Sequence, residues 1–182
     1  MNTYTEQIRQ ARNLYYQGIY GDKAAIEKSD KIFSELHNQF PNDPLVTVYY
    51  GSLRLIEAQH TWALWKKNSL SKQGVQLLDS AVSGAPGDLE VRFVRAATDR
   101  NLPSFFGRKQ QVQSDLSFIV QHAEQAAHQG SFDPQLAAAS FFYYGELCKE
   151  QSRLKEATDA WKAAARIAPD SHAGRGAADK LR

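Results

Sequence analysis

The chain has 182 residues, of which 42 % are hydrophobic and 23 % charged, a composition typical of a folded globular protein and not of a disordered one. The 22 Lys and Arg residues are balanced by 20 Asp and Glu residues, so the net charge of +2 is too small for the basic surface that binds nucleic acid. Cys148 is the only cysteine, which excludes an internal disulfide and a cysteine zinc cluster.

The N-terminal sequence is polar, and no run of apolar residues reaches the ~20 that a membrane span needs. We therefore expect a cytoplasmic protein with neither a membrane nor nucleic acid among its partners. One core is favoured over two for a chain of this length. The sequence thus predicts a single domain over residues 1–182.

Apolar residues recur every three or four positions almost throughout, and the alternation typical of strands is hard to find, so the sequence predicts an all-α fold. Glycine, proline and capping residues divide the chain into helical hairpins. Four hairpins are predicted, at about 4–39, 44–85, 88–129 and 134–168, followed by a short capping segment at 170–182 that can form a last helix.

Two breaks in this pattern are placed by particular residues. Glycines at positions 18 and 21 separate the two helices of the first hairpin. In the second hairpin, a long apolar helix is predicted from Pro44 to about Lys67, and the polar segment 68–71 starts the next helix. The second hairpin is therefore predicted to have an unusually long first helix.

The fourth hairpin carries the pattern of an internal repeat. The residues in that pattern are Phe141, Tyr144, Gly145, Cys148, Ala157, Trp161, Ala164 and Pro169. Their spacing resembles the tetratricopeptide (TPR) repeat, in which small residues let the two helices of a hairpin cross closely. The resemblance implies a right-handed superhelix, an α-solenoid of about four degenerate TPR-like hairpins stacked on one another.

The other hairpins resemble the repeat less closely. Gly51 and Gly74 take its small positions in the second hairpin but are 23 positions apart, about eleven more than the repeat has. The first and third hairpins keep fewer repeat residues. The segments 65–86 and 91–109 are also similar to a bacterial group of TPR-like proteins of uncharacterised function, which implies the same fold and a cytoplasmic setting but supplies no activity.

In TPR proteins the first helices of the hairpins line a concave groove that binds ligands, and the resemblance implies which residues line it here. These positions are Arg12, Tyr16, Ser52, Phe93, Arg100, Phe142, Glu146 and Lys149, together with the apolar Val48, Leu55 and Ala97. An apolar floor with cations at its rim suits an extended or helical peptide that bears an acidic group. The same apolar character leaves open that the second hairpin or the C-terminal tail fills the groove.

Two tryptophans precede a pair of lysines in the second hairpin. Trp62 and Trp65 are three positions apart, and on the predicted long helix they share one face. Such residues are typical of an interface with a partner or with a second copy of the chain. The alternative, which burial tendencies favour, is that Trp65 packs inside the hairpin while Lys66 and Lys67 are solvated.

Two adjacent phenylalanines, Phe105 and Phe106, fall in a connection between helices that is normally polar. At least one of them is expected to be buried as a plug of the core. The alternative is an aromatic side chain that faces a ligand or interface beside Arg108. Nearby, Arg92 and Arg95 predict a solvated, partly salt-bridged face.

Signals for catalysis are weak. Glu57 and His60 form half of the carboxylate di-metal signature of helical bundles, but the sequence has no second copy of it. The phosphate-binding loop, the dinucleotide fingerprint and the nucleophile elbow are missing too. We therefore predict no enzyme, no catalytic or metal-binding residue and no cofactor.

The function predicted from these observations is a non-catalytic adaptor that binds a protein or peptide partner in the groove. Two alternatives stay open. One is a structural protein with a closed groove that self-associates, as a homodimer, through the face of Trp62 and Trp65. The other, less favoured, is an enzyme or a small-molecule or metal carrier that uses Glu57, His60 and the region of Arg100 and Arg108.

Overall fold

The computed structural model describes residues 3–182. Within this range the chain is helical and has no strand, which confirms the all-α prediction. The helices are α1 (Tyr4–Ile19), α2 (Lys23–Gln39), α3 (Pro44–His60), α4 (Leu64–Gly84), α5 (Leu89–Arg100), α6 (Lys109–His128), α7 (Pro134–Glu150), α8 (Leu154–Ile167) and α9 (His172–Lys180), with a 3₁₀ turn at Ser104–Phe106. Over the described range, every helix is too short or too polar to cross a bilayer.

The helices form two compact units, which meet in sequence between Pro86 and Gly87. In unit 1, each of the helices α1 to α4 packs on the next one. In unit 2, helices α5 to α9 pack in the same sequential way, and α7 also contacts both α5 and α9. The stacking of all four hairpins into one superhelix stays a prediction, as does the single domain.

Aspartate residues cap four of the nine α-helices in the described range. The side chains of Asp22, Asp43, Asp88 and Asp133 accept hydrogen bonds from backbone N–H groups in the first turns of α2, α3, α5 and α7. Such a cap satisfies N–H groups that have no partner inside the helix. The predicted last helix also forms as α9, where Ser171 accepts from the N–H of Gly174.

The boundary inside the second hairpin differs from the prediction. Helix α3 ends at His60 and not near Lys67, and α4 begins at Leu64 and not at 68–71. Thr61 has extended backbone angles, and its hydroxyl donates to the carbonyl oxygen of Glu57 at 2.9 Å. This hydrogen bond takes up a carbonyl in the last turn of α3.

Glycines allow two helices to approach closely in each unit. In unit 1, a Cβ added at Gly74 would lie 2.5 Å from Cγ of Leu55 and 2.9 Å from the carbonyl oxygen of Gly51. In unit 2, a Cβ added at Gly145 would lie 2.4 Å from Nε1 of Trp161. The predicted small-residue contacts of α3 with α4 and of α7 with α8 are confirmed, since only glycine fits at these distances.

Aromatic residues and hydroxyl groups hold α1, α2 and α3 together in unit 1. The ring of Phe33 stacks on that of Tyr49 with centroids 4.8 Å apart. The hydroxyls of Tyr16 and Tyr49 are 2.9 Å apart, and those of Tyr15 and Ser52 are 2.7 Å apart. These hydrogen bonds let hydroxyl groups lie in the core without losing their partners.

Unit 2 uses charged groups for the same purpose. Asp115 is fully buried and accepts hydrogen bonds from Arg92 at 2.6 Å and from Arg95 at 2.7 and 2.9 Å. Asp99 accepts from Arg108 at 2.9 Å, and both side chains are buried. The face predicted to be solvated around Arg92 and Arg95 is therefore a buried ion-pair cluster that joins α5 to α6.

Candidate functional site

In unit 2, helices α5 and α7 lie side by side and run in the same direction. Phe93 stacks on Tyr143 with ring centroids 6.1 Å apart. Seven residues further along both helices, Nη2 of Arg100 donates to Oε1 of Glu150 at 2.7 Å. Both pairs join residues that are 50 positions apart, so the two helices keep a constant register.

Helices α7 and α9 are related in the same way. The ring of Phe142 lies against Gly176, where an added Cβ would be 3.4 Å from the ring. Nζ of Lys180 donates to Oε2 of Glu146 at 3.0 Å. Both pairs join residues that are 34 positions apart, and α9 thus packs against two of the predicted groove residues. For these two positions, the tail occupies part of the predicted groove.

A partly exposed surface remains on α5 and α7, and we call it the aromatic strip. It consists of Arg100, Phe142, Tyr143, Glu146 and Lys149. The guanidinium of Arg100 lies 5.9 Å from the ring centroid of Tyr143, and the rings of Phe142 and Tyr143 are 6.0 Å apart. Lys149 is exposed. The strip therefore combines aromatic rings with cations, which is the chemistry that recognises carboxylates beside apolar groups.

Tyr143 was missed by the sequence analysis. The repeat spacing assigns only every third or fourth residue of α7 to the groove, and it assigns Phe142. The structure places the neighbouring Tyr143 toward α5, where it contacts both Phe93 and Arg100. The adjacent residues Phe142 and Tyr143 could have suggested an aromatic strip from the sequence alone. The contact of Tyr143 with Arg100 could not have been predicted in this way.

Other predicted groove residues are not on an open surface. Ser52 is buried with its hydroxyl bonded to Tyr15, and Phe93 is buried under Tyr143. The apolar positions Val48 and Leu55 are buried as well. The prediction that these side chains line an open groove is wrong, because each of them packs in the core of its own unit.

The remaining groove residues of unit 1 are only partly accessible. Arg12 and Tyr16 are half-buried. The hydroxyl of Tyr16 hydrogen-bonds to Tyr49, so its role is to join α1 to α3.

Three strongly exposed apolar side chains lie close together in sequence where α3 gives way to α4. Trp62 is 93 % exposed, Leu64 74 % and Trp65 77 %. The expectation that Trp65 packs inside the hairpin is wrong. The two tryptophans also do not share a helix face, because Trp62 lies in the connection and Trp65 in the first turn of α4. We call residues 61–69 the tryptophan tip.

The tip and the helix behind it are cationic. Lys66, Lys67 and Lys72 are exposed, and no Asp or Glu occurs from residue 58 to residue 78. The nearest carboxylate is that of Glu57, which accepts from Arg54 at 2.6 Å and lies 3.0 Å from Lys66. Two cations thus already share this one carboxylate, which leaves the tip with a positive excess.

The connection from α5 to α6 was predicted to bury a phenylalanine. Phe105 is 82 % exposed, and Phe106, stacked on it with centroids 4.7 Å apart, is half-buried. The core plug is instead Arg108, which is buried with Asp99. Arg108 is therefore not part of an exposed interface, and the expected full burial of a phenylalanine is wrong.

The residues considered for metal binding and nucleophilic chemistry have other contacts. Glu57 is engaged by Arg54 and Lys66. Among residues 3–182 there is no group of three or more His, Cys, Asp or Glu side chains that could hold a metal ion. Cys148 is buried, and burial raises the pKa of its thiol, which disfavours the reactive thiolate.

Two surfaces therefore stand out, one in each unit. The aromatic strip offers rings with flanking charges on α5 and α7, and the tryptophan tip offers protruding apolar groups with lysines behind them. In a comparison with known proteins, no family model, no curated protein and no solved structure matches the chain.

Proposed function

We propose that the chain is a non-catalytic binding module whose aromatic strip holds an acidic segment of another protein. The observation that carries the proposal is the position of Arg100, whose guanidinium lies against the ring of Tyr143 and pairs with an exposed carboxylate, that of Glu150. A cation placed on an aromatic ring at a surface is suited to a partner's carboxylate.

The pairing of Arg100 within the chain does not prevent this. Exposed ion pairs contribute only about 0–1 kcal/mol to stability. A carboxylate of the partner can therefore replace Glu150 at small cost, while the ring of Tyr143 keeps the guanidinium oriented. Lys149 supplies a second cation, three positions after Glu146 and thus about one helical turn further along α7. Because the strip is built on packed helices, little of it has to be ordered on binding.

The register of α7 and α9 supports the TPR-like interpretation of the fold. The residues of α7 and α9 that contact each other are 34 positions apart in sequence, which is the length of the TPR repeat. Helix α9 thus has the place that the first helix of a following repeat has. We accordingly propose a right-handed TPR-like superhelix, in which the first helices of the hairpins carry the binding surface.

The test compares a strip variant with a matched lysine variant. The partner is first identified by affinity capture and mass spectrometry, then purified, and its binding to the full chain is measured by calorimetry. Arg100→Gln combined with Lys149→Gln is expected to weaken binding by about tenfold to a hundredfold, because charge-assisted hydrogen bonds are lost. Lys155→Gln, at an exposed lysine of α8, is expected to change nothing.

Equal binding by the strip variant and the wild type would contradict the proposal, provided that both melt at the same temperature. Light scattering of the free protein separates the main alternative. A dimer in wild type that Trp65→Ser converts to a monomer would favour the self-associating structural protein. A monomer in both leaves the strip as the interaction surface.

A further inference from the structure

The tryptophan tip is formed by residues that lie beyond the crossing of α3 and α4. In unit 2, Gly145 and the Trp161 that it contacts are 16 positions apart, whereas Gly51 and its neighbour Leu77 are 26 positions apart. The extra residues extend α3 and α4 beyond their crossing. All six residues of α4 from Leu64 to Ser69 are exposed, and Leu70 is the first buried one.

This end of unit 1 exposes further apolar side chains. The hydroxyl of Tyr4 donates to the carboxylate of Asp43, and that of Tyr16 bonds to Tyr49. Helices α1 and α3 therefore run in the same direction, and both point toward the same side of the unit. There the turn after α1 exposes Ile19 and Tyr20 by 50 % and 67 %. The opposite end, at the turn before α3, exposes Tyr4 by 37 % and Phe40 by 40 %, and these two rings pack edge to face against each other.

Exposed apolar groups in such a cluster normally mark an interaction site, since leaving them in water is unfavourable. Trp62 is almost fully exposed, so this chain builds neither a pocket nor a rim around it. A protein partner would have to supply the whole pocket. The interface of a lipid bilayer accepts a protruding tryptophan without any matching shape, and tryptophan prefers the headgroup level.

The charge of the tip favours the same occupant. Lys66, Lys67 and Lys72 extend over the helix behind Trp65, and the stretch 58–78 has no acidic residue to oppose them. Each lysine near an anionic membrane surface strengthens attachment. A second copy of the chain fits poorly, because a twofold contact would place these lysines against their own copies.

We propose that the tryptophan tip attaches this protein to the surface of anionic lipid bilayers. Trp62, Leu64 and Trp65 enter the headgroup region, and the lysines bind lipid phosphates. The expectation of no membrane partner came from the lack of a spanning segment, which does not bear on attachment at the interface. This proposal is separate from the aromatic strip and stands or falls without it.

The experiment uses the full chain and two kinds of vesicle, phosphatidylcholine alone and phosphatidylcholine mixed with phosphatidylglycerol. Flotation measures the bound fraction, and tryptophan emission reports entry into lipid. Wild type is expected to bind the mixed vesicles, with a blue shift. Trp62→Ser combined with Trp65→Ser is expected to bind at least about tenfold more weakly, and the emission of its remaining, buried Trp161 should not shift.

Two further variants make the test specific. Lys66→Gln combined with Lys67→Gln is expected to lower binding to the mixed vesicles by roughly thirtyfold at low salt. Phe105→Ser removes an equally exposed aromatic group from unit 2 and is expected to bind like wild type. Circular dichroism verifies that each variant is folded.

Three outcomes would overturn the proposal. One is wild type that floats with the mixed vesicles no more than the double tryptophan variant does. Another is binding that is equal for the two vesicle types and insensitive to the lysines. The third is a tryptophan-dependent dimer, or tryptophan-dependent binding to an acidic protein, in a chain that does not float.

Discussion

The most deeply buried polar links between helices differ in chemistry between units 1 and 2. In unit 1, neutral hydroxyls link α1 to α3, as between Tyr15 and Ser52. In unit 2, a buried carboxylate, Asp115, links α5 to α6 through two arginines. A neutral hydrogen bond contributes about 1 kcal/mol net, whereas removing one member of a buried ion pair costs about 3–5 kcal/mol. The tolerance of each unit to single substitutions should differ accordingly.

The largest effect is expected for Asp115→Ala. Arg92 and Arg95 would keep their charges near the core without a carboxylate, so unfolding free energy should fall by about 3–5 kcal/mol. Urea unfolding gives the free energy, and hydrogen exchange by mass spectrometry gives its location. Helices α5 and α6 should lose protection before α1 to α3 do. Equal loss of protection in both units would contradict the comparison.

An exposed ion pair of the same unit serves as the control for Asp115. Arg166 donates to Glu124, and their side chains are 64 % and 37 % exposed, respectively. Glu124→Gln should therefore change the free energy of unfolding by no more than about 1 kcal/mol. A cost similar to that of Asp115→Ala would mean that burial is not what makes Asp115 important.

The second effect concerns the helix crossing of unit 1. In Gly74→Ala the new Cβ would meet Leu55 and the backbone of Gly51, so α3 and α4 have to move apart. We expect a net loss of about 1–3 kcal/mol, even though alanine favours helix over glycine. Gly84→Ala is the matched control on the same helix, since its Cβ would be 3.5 Å from Pro44, an ordinary contact. Thermal unfolding that is equal for the two variants would refute this account of the crossing.

A smaller effect is expected for Ser52→Ala. It removes one hydroxyl from the network of unit 1 and creates no buried charge, so the loss should be about 1 kcal/mol. Ser80→Ala, at an exposed position of α4, should be neutral. Urea unfolding of both variants measures the difference. A loss as large as that of Asp115→Ala would show that hydroxyl and charged links are equally important.

The smallest effect is a dependence on pH in unit 1. The ring of His37 stacks on Tyr50 with centroids 4.5 Å apart, and burial lowers the pKa of His37. The unfolded chain then binds more protons than the folded one near the ordinary histidine pKa of about 6.5. Stability should therefore fall as the pH drops below that value.

The variant His37→Asn isolates this contribution, because the other ionisable groups are common to both proteins. Urea unfolding at neutral and at mildly acidic pH should show that the wild type loses more stability on acidification than the variant. A parallel dependence on pH in the two proteins would contradict a lowered pKa at His37.

The sequence predicts the helix boundaries well where a nearby capping or helix-breaking residue marks them. The caps at Asp22 and Asp133 and the glycine at position 145 depend on a few neighbouring residues, and the structure confirms them. The break at 61–63 has neither glycine nor proline. Thr61 bonds back to Glu57 there, but Thr158 makes the same kind of bond inside α8, so this bond does not mark a break and the periodic apolar pattern carries the prediction past it.

Burial of the site residues was harder to predict, because it depends on contacts between distant segments. Arg108 is buried because its guanidinium pairs with the carboxylate of Asp99. Trp65 is exposed because α4 starts beyond its crossing with α3. For Phe142 and Glu146, contact with α9 follows from a 34-residue register that single-residue propensities do not contain. The aromatic strip could therefore be predicted only in part.

The exposed start of α4 has a consequence for how the chain can be handled. Residues 64–69 contribute nothing to the core, while the helix from Leu70 onward is held at the glycine crossing. Segments of this kind are where proteases cut and where insertions are tolerated. We expect trypsin to nick the native protein after Lys66 or Lys67 and the two fragments to stay associated, so this is the place to insert a reporter domain or to split the protein for complementation.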